Sequence, residues 1–354
     1  MKPAARQEGM WWHPKPQQVA TLTSNMSATV TIFLTGATGY IGGSVLERLL
    51  KHPNANTFDI TVLVRNAEKA KILESKFGVR VVVGAHQDLD KLEACSENAH
   101  IVFQCSDSDD VPATKAILSG LKKRHAKLGD LPILIHTSGT GTLVDDARGM
   151  YATDVIYSDL NVEQIKSIPP TAFHRDVDLP IMQADEEGYV RAHIILPATV
   201  YGIAQGPLFE AGVSNPHSMQ IPRLIRAALD RKLADLYIIL LDSVLNNPDK
   251  TGHGWEGFYF GENGEHTWYQ ISRTIGEALV ELGLSDDPEP TEFSTEELIK
   301  YFGSIKIGLY NGTNSRCRAD RSRSIGWKPQ YTTEDMLKSI KPEIIALRQR
   351  ESKA

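Results

Sequence analysis

The chain is poor in cysteine and has no long apolar run. Cys95, Cys105 and Cys317 are its only cysteines among 354 residues. They are odd in number and lack metal-ligand spacing, so they read as reduced thiols. That excludes a disulfide framework, and no metal is expected. No stretch approaches the ~20 apolar residues of a membrane-spanning helix, and the first 25 residues carry no signal-peptide core. A strong charge of either sign is missing too: the net charge of −6 exerts no pull toward nucleic acid or an anionic membrane. No internal repeat is present. What remains is a cytoplasmic globular protein with a small-molecule partner.

What is present begins with an ordinary hydrophobic fraction of 41%. Residues 1–28, with Trp11, Trp12, Pro14 and Pro16 in no periodic pattern, read as a disordered extension ahead of the first strand. Then comes the most informative segment, Thr31-Ile-Phe-Leu-Thr-Gly-Ala-Thr-Gly-Tyr-Ile-Gly42. Four β-formers enter a loop with glycines at 36, 39 and 42, and a helical pattern follows with Val45, Leu46, Leu49 and Leu50 on one face. Gly36 permits the tight turn, Gly39 lets backbone approach a pyrophosphate, and Gly42 lets helix pack close on strand. Phosphates would sit on the free N–H groups of the helix start, within Thr38, Gly39, Tyr40, Ile41 and Gly42.

Strand and helix patterns alternate from there, which predicts an α/β fold with a doubly wound parallel sheet. Strands are expected at 58–64, 79–83, 101–104, 133–137, 191–196 and 257–260. Helices are expected at 67–77, 90–95, 112–125, 171–187, 221–230 and 268–282, with a last one from Thr333. The division is a nucleotide-binding domain at 29–202 and a smaller substrate lobe at 203–354, of which 233–282 returns to the first domain. Substrate is expected at the C-terminal edge of the sheet.

Several residues carry candidate chemistry. Arg65 ends the second strand, where an NAD-preferring protein places an acid for the ribose 2′-hydroxyl. An Arg there clasps a 2′-phosphate, which favours NADP with NAD still possible, or it is simply a solvated strand end. Asp88 either accepts from the adenine amine or caps the next helix. Ser138 and Thr140, after the fifth strand, either orient a substrate oxygen on the nicotinamide side or serve only the turn. Asp107, Asp109 and Asp110 could group around a metal, but helix capping explains them more cheaply. Arg316, Arg318, Arg321 and Arg323 either face an anionic group of substrate or cofactor or, the simpler reading, form a solvated face balancing nearby acids.

These motifs resemble the extended short-chain dehydrogenase/reductase family, which includes sugar-nucleotide epimerases and dehydratases. The resemblance runs from residue 30 to about 340 and is nearest to a fungal branch. It rests on Thr-Gly-Ala-Thr-Gly-Tyr-Ile-Gly, His-Thr-Ser-Gly, Leu-Pro-Ala-Thr-Val-Tyr-Gly (196–202, including Pro197) and Gly-Trp-Lys-Pro. It implies a nicotinamide cofactor and, as a possibility, a homodimer. It also implies a Tyr acid/base with a Lys four residues later, working with the Ser of the fifth-strand motif. The chain departs from that pattern. Tyr151, Tyr157 and Tyr189 are followed at the fourth position by Val155, Asn161 and His193. The expected helix instead carries His174 and Asp178, one turn apart on one face, as a candidate acid/base pair.

A second departure lies at Arg231-Lys232, which runs straight into Leu233-Ala-Asp-Leu-Tyr237, without the loop and strand the family usually has there. Apolar spacing continues from Leu224 to Val244, so one fused helix and a distorted or partly open pocket are expected. Two functions follow. One is an NADP-dependent oxidoreductase or epimerase/dehydratase acting on a small carbonyl or hydroxyl substrate. The other is a dinucleotide-binding redox sensor without turnover.

Overall fold

The computed structural model describes residues 29–217 and 233–351. The N-terminal extension and the junction of the expected fused helix at 231–232 lie outside the described residues.

The first βα unit follows from the glycine turn. Strand β1 (Val30–Thr35) is buried from Ile32 onward, and helix α1 (Tyr40–Leu50) turns Val45, Leu46 and Leu49 onto the sheet. Strand β2 (Phe58–Val64), helix α2 (Ala67–Phe77), strand β3 (Arg80–Val83) and helix α3 (Leu89–Glu97) complete the first half. Asn66 caps α2 by accepting from Glu68 and Lys69 N–H, and Gly78 ends it in the left-handed region at φ 68°. The second half is built from β4 (Ile101–Gln104), α4 (Val111–Leu128), β5 (Ile133–Thr137), α5 (Val162–Lys166), α6 (Arg175–Glu186) and β7 (Arg191–Pro197). Between β5 and α5 lies a short strand, β6 (Tyr157–Ser158).

A short helix α7 (Pro207–Glu210) precedes α8 (Leu233–Asn246) and the edge strand β8 (Phe258–Gly261). The seven strands are all parallel, in the order β3-β2-β1-β4-β5-β7-β8. The order reverses between β1 and β4, so the crevice outside their C-terminal ends is where an open α/β sheet binds ligand. Runs such as Ile133-Leu-Ile-His-Thr137 are buried at every position, as strands covered on both faces require. Helix α8 closes on α1 through Arg48 and Asp235 at 2.5 Å and His52 and Asp242 at 2.9 Å.

The later chain adds α9 (Trp268–Glu281), α10 (Thr295–Phe302), α11 (Ile305–Tyr310), β9 (Cys317–Arg318), α12 (Asp320–Ser324) and α13 (Thr333–Glu351). Helices α9 and α13 share a second apolar cluster of Ile271, Ala278, Met336, Ile340 and Ile344. Strand β9 pairs in parallel with β6. The fully buried Asp159, just after β6, accepts backbone N–H groups from Phe260 at 3.1 Å, Arg321 at 2.6 Å and Ser322 at 3.2 Å. One carboxylate thus fastens β6, the edge strand β8 and α12 together.

Candidate functional site

The nucleotide half is a backbone device. Gly36 sits at φ 78°, and a Cβ there would collide with the Cys105 carbonyl; a Cβ on Gly42 would collide with that of Gly36. Only glycine lets β1, the β4 loop and α1 approach this closely. Helix α1 begins at Gly39 with no side-chain cap and no acidic residue in its first turn. That leaves a positive helix end shaped for an anion, and these residues fit a dinucleotide pyrophosphate. Thr38 and Tyr40 also tie the turn to the later chain. The Thr38 carbonyl accepts from Asn215 N–H at 2.9 Å, and the Tyr40 hydroxyl donates to the Tyr201 carbonyl at 3.0 Å. Ile41 is partly buried against the core, and Pro197 ends β7 beside Gly261.

Arg65 is exposed at the end of β2 and forms no salt bridge among the described residues. Asp88 stands at the N-cap of α3, but its side chain makes no cap bond. Its carboxylate turns back to Ala85 N–H at 2.9 Å and lies 3.4 Å from Lys91.

The chemical half corrects the expected His174/Asp178 pair. His174 stands outside α6, as its N-cap, in the left-handed region at φ 65°. That conformation takes its ring off the helix face and toward the loop after β4. There His174 Nδ1 lies 2.6 Å from Asp109 Oδ1 and 3.2 Å from Ser108 Oγ. A carboxylate only accepts, so Nδ1 carries the hydrogen and Nε2 is left as the working atom. Nε2 faces the turn after β5: a Cβ on Gly139 would lie 3.1 Å from it and one on Gly141 3.3 Å. Burial works against a charged His174, but the Asp109 bond and the charges of Asp109, Asp178 and Asp176 outweigh it and hold its pKa above the usual value.

Asp178 points beneath this site rather than at His174. It is fully buried and accepts from Ser138 Oγ at 3.2 Å, while its other oxygen lies 4.0 Å from His136 Nε2. Burial pushes the Asp178 carboxyl up to about 7, against the charge of Arg175 and the Ser138 bond. Burial and the charge of His174 drive the His136 ring down to about 3, so it stays neutral. Ser138 is therefore committed to the buried layer in this arrangement. Thr140 opens a short 3-10 turn, and its carbonyl accepts from Ser315 Oγ at 2.6 Å.

The acidic trio divides its work. Asp110 caps α4 by accepting from Ala113 N–H at 2.9 Å, and Asp107 accepts from Asp109 N–H at 3.0 Å. Asp109 belongs to His174, a role that residue type alone does not separate from capping. The late arginines serve structure: Arg316 forks onto Glu265, Arg318 meets Asp320, Arg321 donates to the Asp159 carbonyl and Arg323 meets Glu262. Tyr310 also reaches the Gly141 turn, and nothing in its sequence surroundings marks it.

Among the described residues no helix is long and apolar enough to cross a membrane, and no group of three or more metal-binding side chains converges. Residues 36–160 match the family model described as NAD(P)H-binding. An oxidase (ucsJ) of an Acremonium species is 28% identical over 85% of this chain and 93% of its own. Averufin oxidase A of Aspergillus flavus is 34% identical, over 28% of this chain and 40% of its own. Among solved structures, yeast methylglyoxal/isovaleraldehyde reductase complexed with NADPH matches with TM-score 0.58 at 14% identity, over 91% of this chain and 100% of that one. A dTDP-glucose 4,6-dehydratase from Bacillus anthracis in complex with NAD matches with TM-score 0.57 at 15% identity, over 92% and 98%. The segment built on the glycine turn, residues 36–160, thus matches an NAD(P)H-binding family, and the sheet around it shares the fold of these solved structures.

Proposed function

We propose that the protein is an NADP-dependent oxidoreductase acting on a carbonyl or hydroxyl carbon of a small molecule, with His174 as its proton-transfer residue and Asp109 as the group that orients it. The observation that carries this reading is the 2.6 Å bond from His174 Nδ1 to Asp109, which leaves Nε2 facing the Gly139–Gly141 turn at the C-terminal end of β5. A bound nicotinamide supplies or takes the hydride. In the oxidising direction the neutral Nε2 accepts the hydroxyl proton, and Asp109 stabilises the imidazolium that results. In the reducing direction the same atom gives the proton back. Thr140 lines the turn that receives the substrate oxygen, and Ser138 and Asp178 support it from below. Arg65 supports NADP: it is a cation at the β2 end, where an acid would select the unphosphorylated ribose.

A sensor without turnover is the second reading, favoured by the missing Tyr–Lys pair. One experiment separates them. The full chain is mixed with NADPH and a carbonyl panel of acetophenone, cyclohexanone, methylglyoxal and isovaleraldehyde, and cofactor oxidation is followed. Turnover is expected, with a loss on the order of 10²–10⁴-fold in kcat for His174→Ala. Ordinary NADPH binding without turnover of any panel member would establish the sensor reading instead.

A further inference from the structure

We infer that Tyr310 is a second group that touches the substrate oxygen, donating a hydrogen bond to it beside His174; this rests on the oxidoreductase reading above. Two atoms from distant parts of the chain converge on Gly141. A Cβ built on that glycine would lie 2.5 Å from the Tyr310 hydroxyl and 3.3 Å from His174 Nε2. The bare backbone at Gly141 is what gives both groups room.

The phenol is held there by several independent contacts. Phe173, the neighbour of His174, meets the Tyr310 ring edge-on at 5.1 Å and 82°. The segment after Tyr310 is bolted to the loop beyond the turn. Ser315 Oγ donates to the Thr140 carbonyl at 2.6 Å, Asn314 gives both its backbone and its amide hydrogens to Asp145 at 2.9 and 2.7 Å, and Gly149 N–H donates to the Gly312 carbonyl at 2.6 Å. A loosely placed tyrosine needs no such fastening.

The hydroxyl so positioned donates no hydrogen bond among the described residues. A half-buried donor without an acceptor is unfavourable until something supplies one. The Phe173 ring beside it offers no acceptor and the Asp109 carboxylate is engaged by His174 Nδ1, so an oxygen brought by the substrate is the acceptor that completes it. Burial and the charge of Asp109 push the phenol up to about 12, so it stays protonated at any ordinary pH and acts as a donor rather than a base. The division of labour follows: His174 moves the proton, and Tyr310 holds the oxygen as its charge changes.

The test compares wild type, Tyr310→Phe and His174→Ala as full chains. Tyr310→Phe keeps the ring and its contact with Phe173, so NADPH affinity and Tm should match wild type. Its kcat/KM for the ketone turned over should fall on the order of 10²-fold. The carbonyl stretch of acetophenone in the complex with oxidised cofactor should be lowered in wild type and less lowered in Tyr310→Phe. Wild-type kcat/KM and an unchanged stretch in Tyr310→Phe, with turnover lost in His174→Ala, would overturn this inference and leave the parent reading standing. A wild-type chain that binds NADPH yet reduces no member of the panel would defeat the parent reading, and this inference with it.

Discussion

A single backbone angle reorganises the candidate chemistry. Helical spacing places His174 and Asp178 one turn apart, but with His174 left-handed at φ 65° the helix starts only at Arg175, and the two side chains go to different neighbours. His174 gains a carboxylate 65 residues away, and Asp178 becomes the floor of the site with Ser138, His136 and Arg175 around it. Asp178 has a raised folded pKa, so its protonated form is the one the fold favours. The stability it contributes is present below the unfolded carboxylate value and lost as pH rises through about 7. Wild-type Tm should therefore drop between about pH 4 and pH 7 and level off above that, and Asp178→Asn should flatten the drop. Parallel thermal melts check it; identical pH slopes would show that Asp178 is ionised without penalty. Asp109→Asn should remove the main influence raising the His174 pKa, so the pH midpoint of turnover should move down.

At the scale of elements, much of the fold was legible. Strands 58–64, 101–104 and 133–137 and helix 67–77 coincide with the observed bounds, because apolar periodicity and caps such as Asn66 and Gly78 are local signals. The two-residue strands β6 and β9 gave no such signal, having no period to read. The glycine turn was equally legible, since strand, loop and helix follow one another directly. Asp109 and Tyr310 were not, because their meaning depends on loops brought together by the sheet. Asp159 belongs to the same class. Its carboxylate satisfies three backbone donors from β8 and α12, and Asp159→Ala strands all of them in a buried place. Destabilisation of about 3 kcal/mol is expected, measured by urea unfolding. A loss below about 0.5 kcal/mol would mean that water takes the carboxylate's place without penalty.

The whole molecule divides its labour across the sheet. Backbone at the β1–β4 switch point is shaped for the proposed nucleotide, while side chains from the β4 loop, the β5 turn, the approach to α6 and the end of α11 meet over the neighbouring strand ends. On the proposed function, cofactor preference is set on the far side of that crevice, by Arg65 after β2. Calorimetric titration should show NADPH bound on the order of tenfold or more tightly than NADH, a difference that Arg65→Ala should abolish. Equal affinities for the two cofactors, unchanged by that substitution, would remove the case for the 2′-phosphate.

The pairing of β6 with β9 joins Tyr157 to Cys317 and Ser158 to Arg318. During synthesis, the entire glycine turn and all strands of the central sheet emerge before β9 exists to close that ladder. A nascent chain can therefore assemble its nucleotide-binding sheet early and still lack the anchor that brings Tyr310 to the Gly141 turn. On the proposed function, acquisition of nucleotide binding and acquisition of turnover should then be separate events in time, with the second waiting on β9.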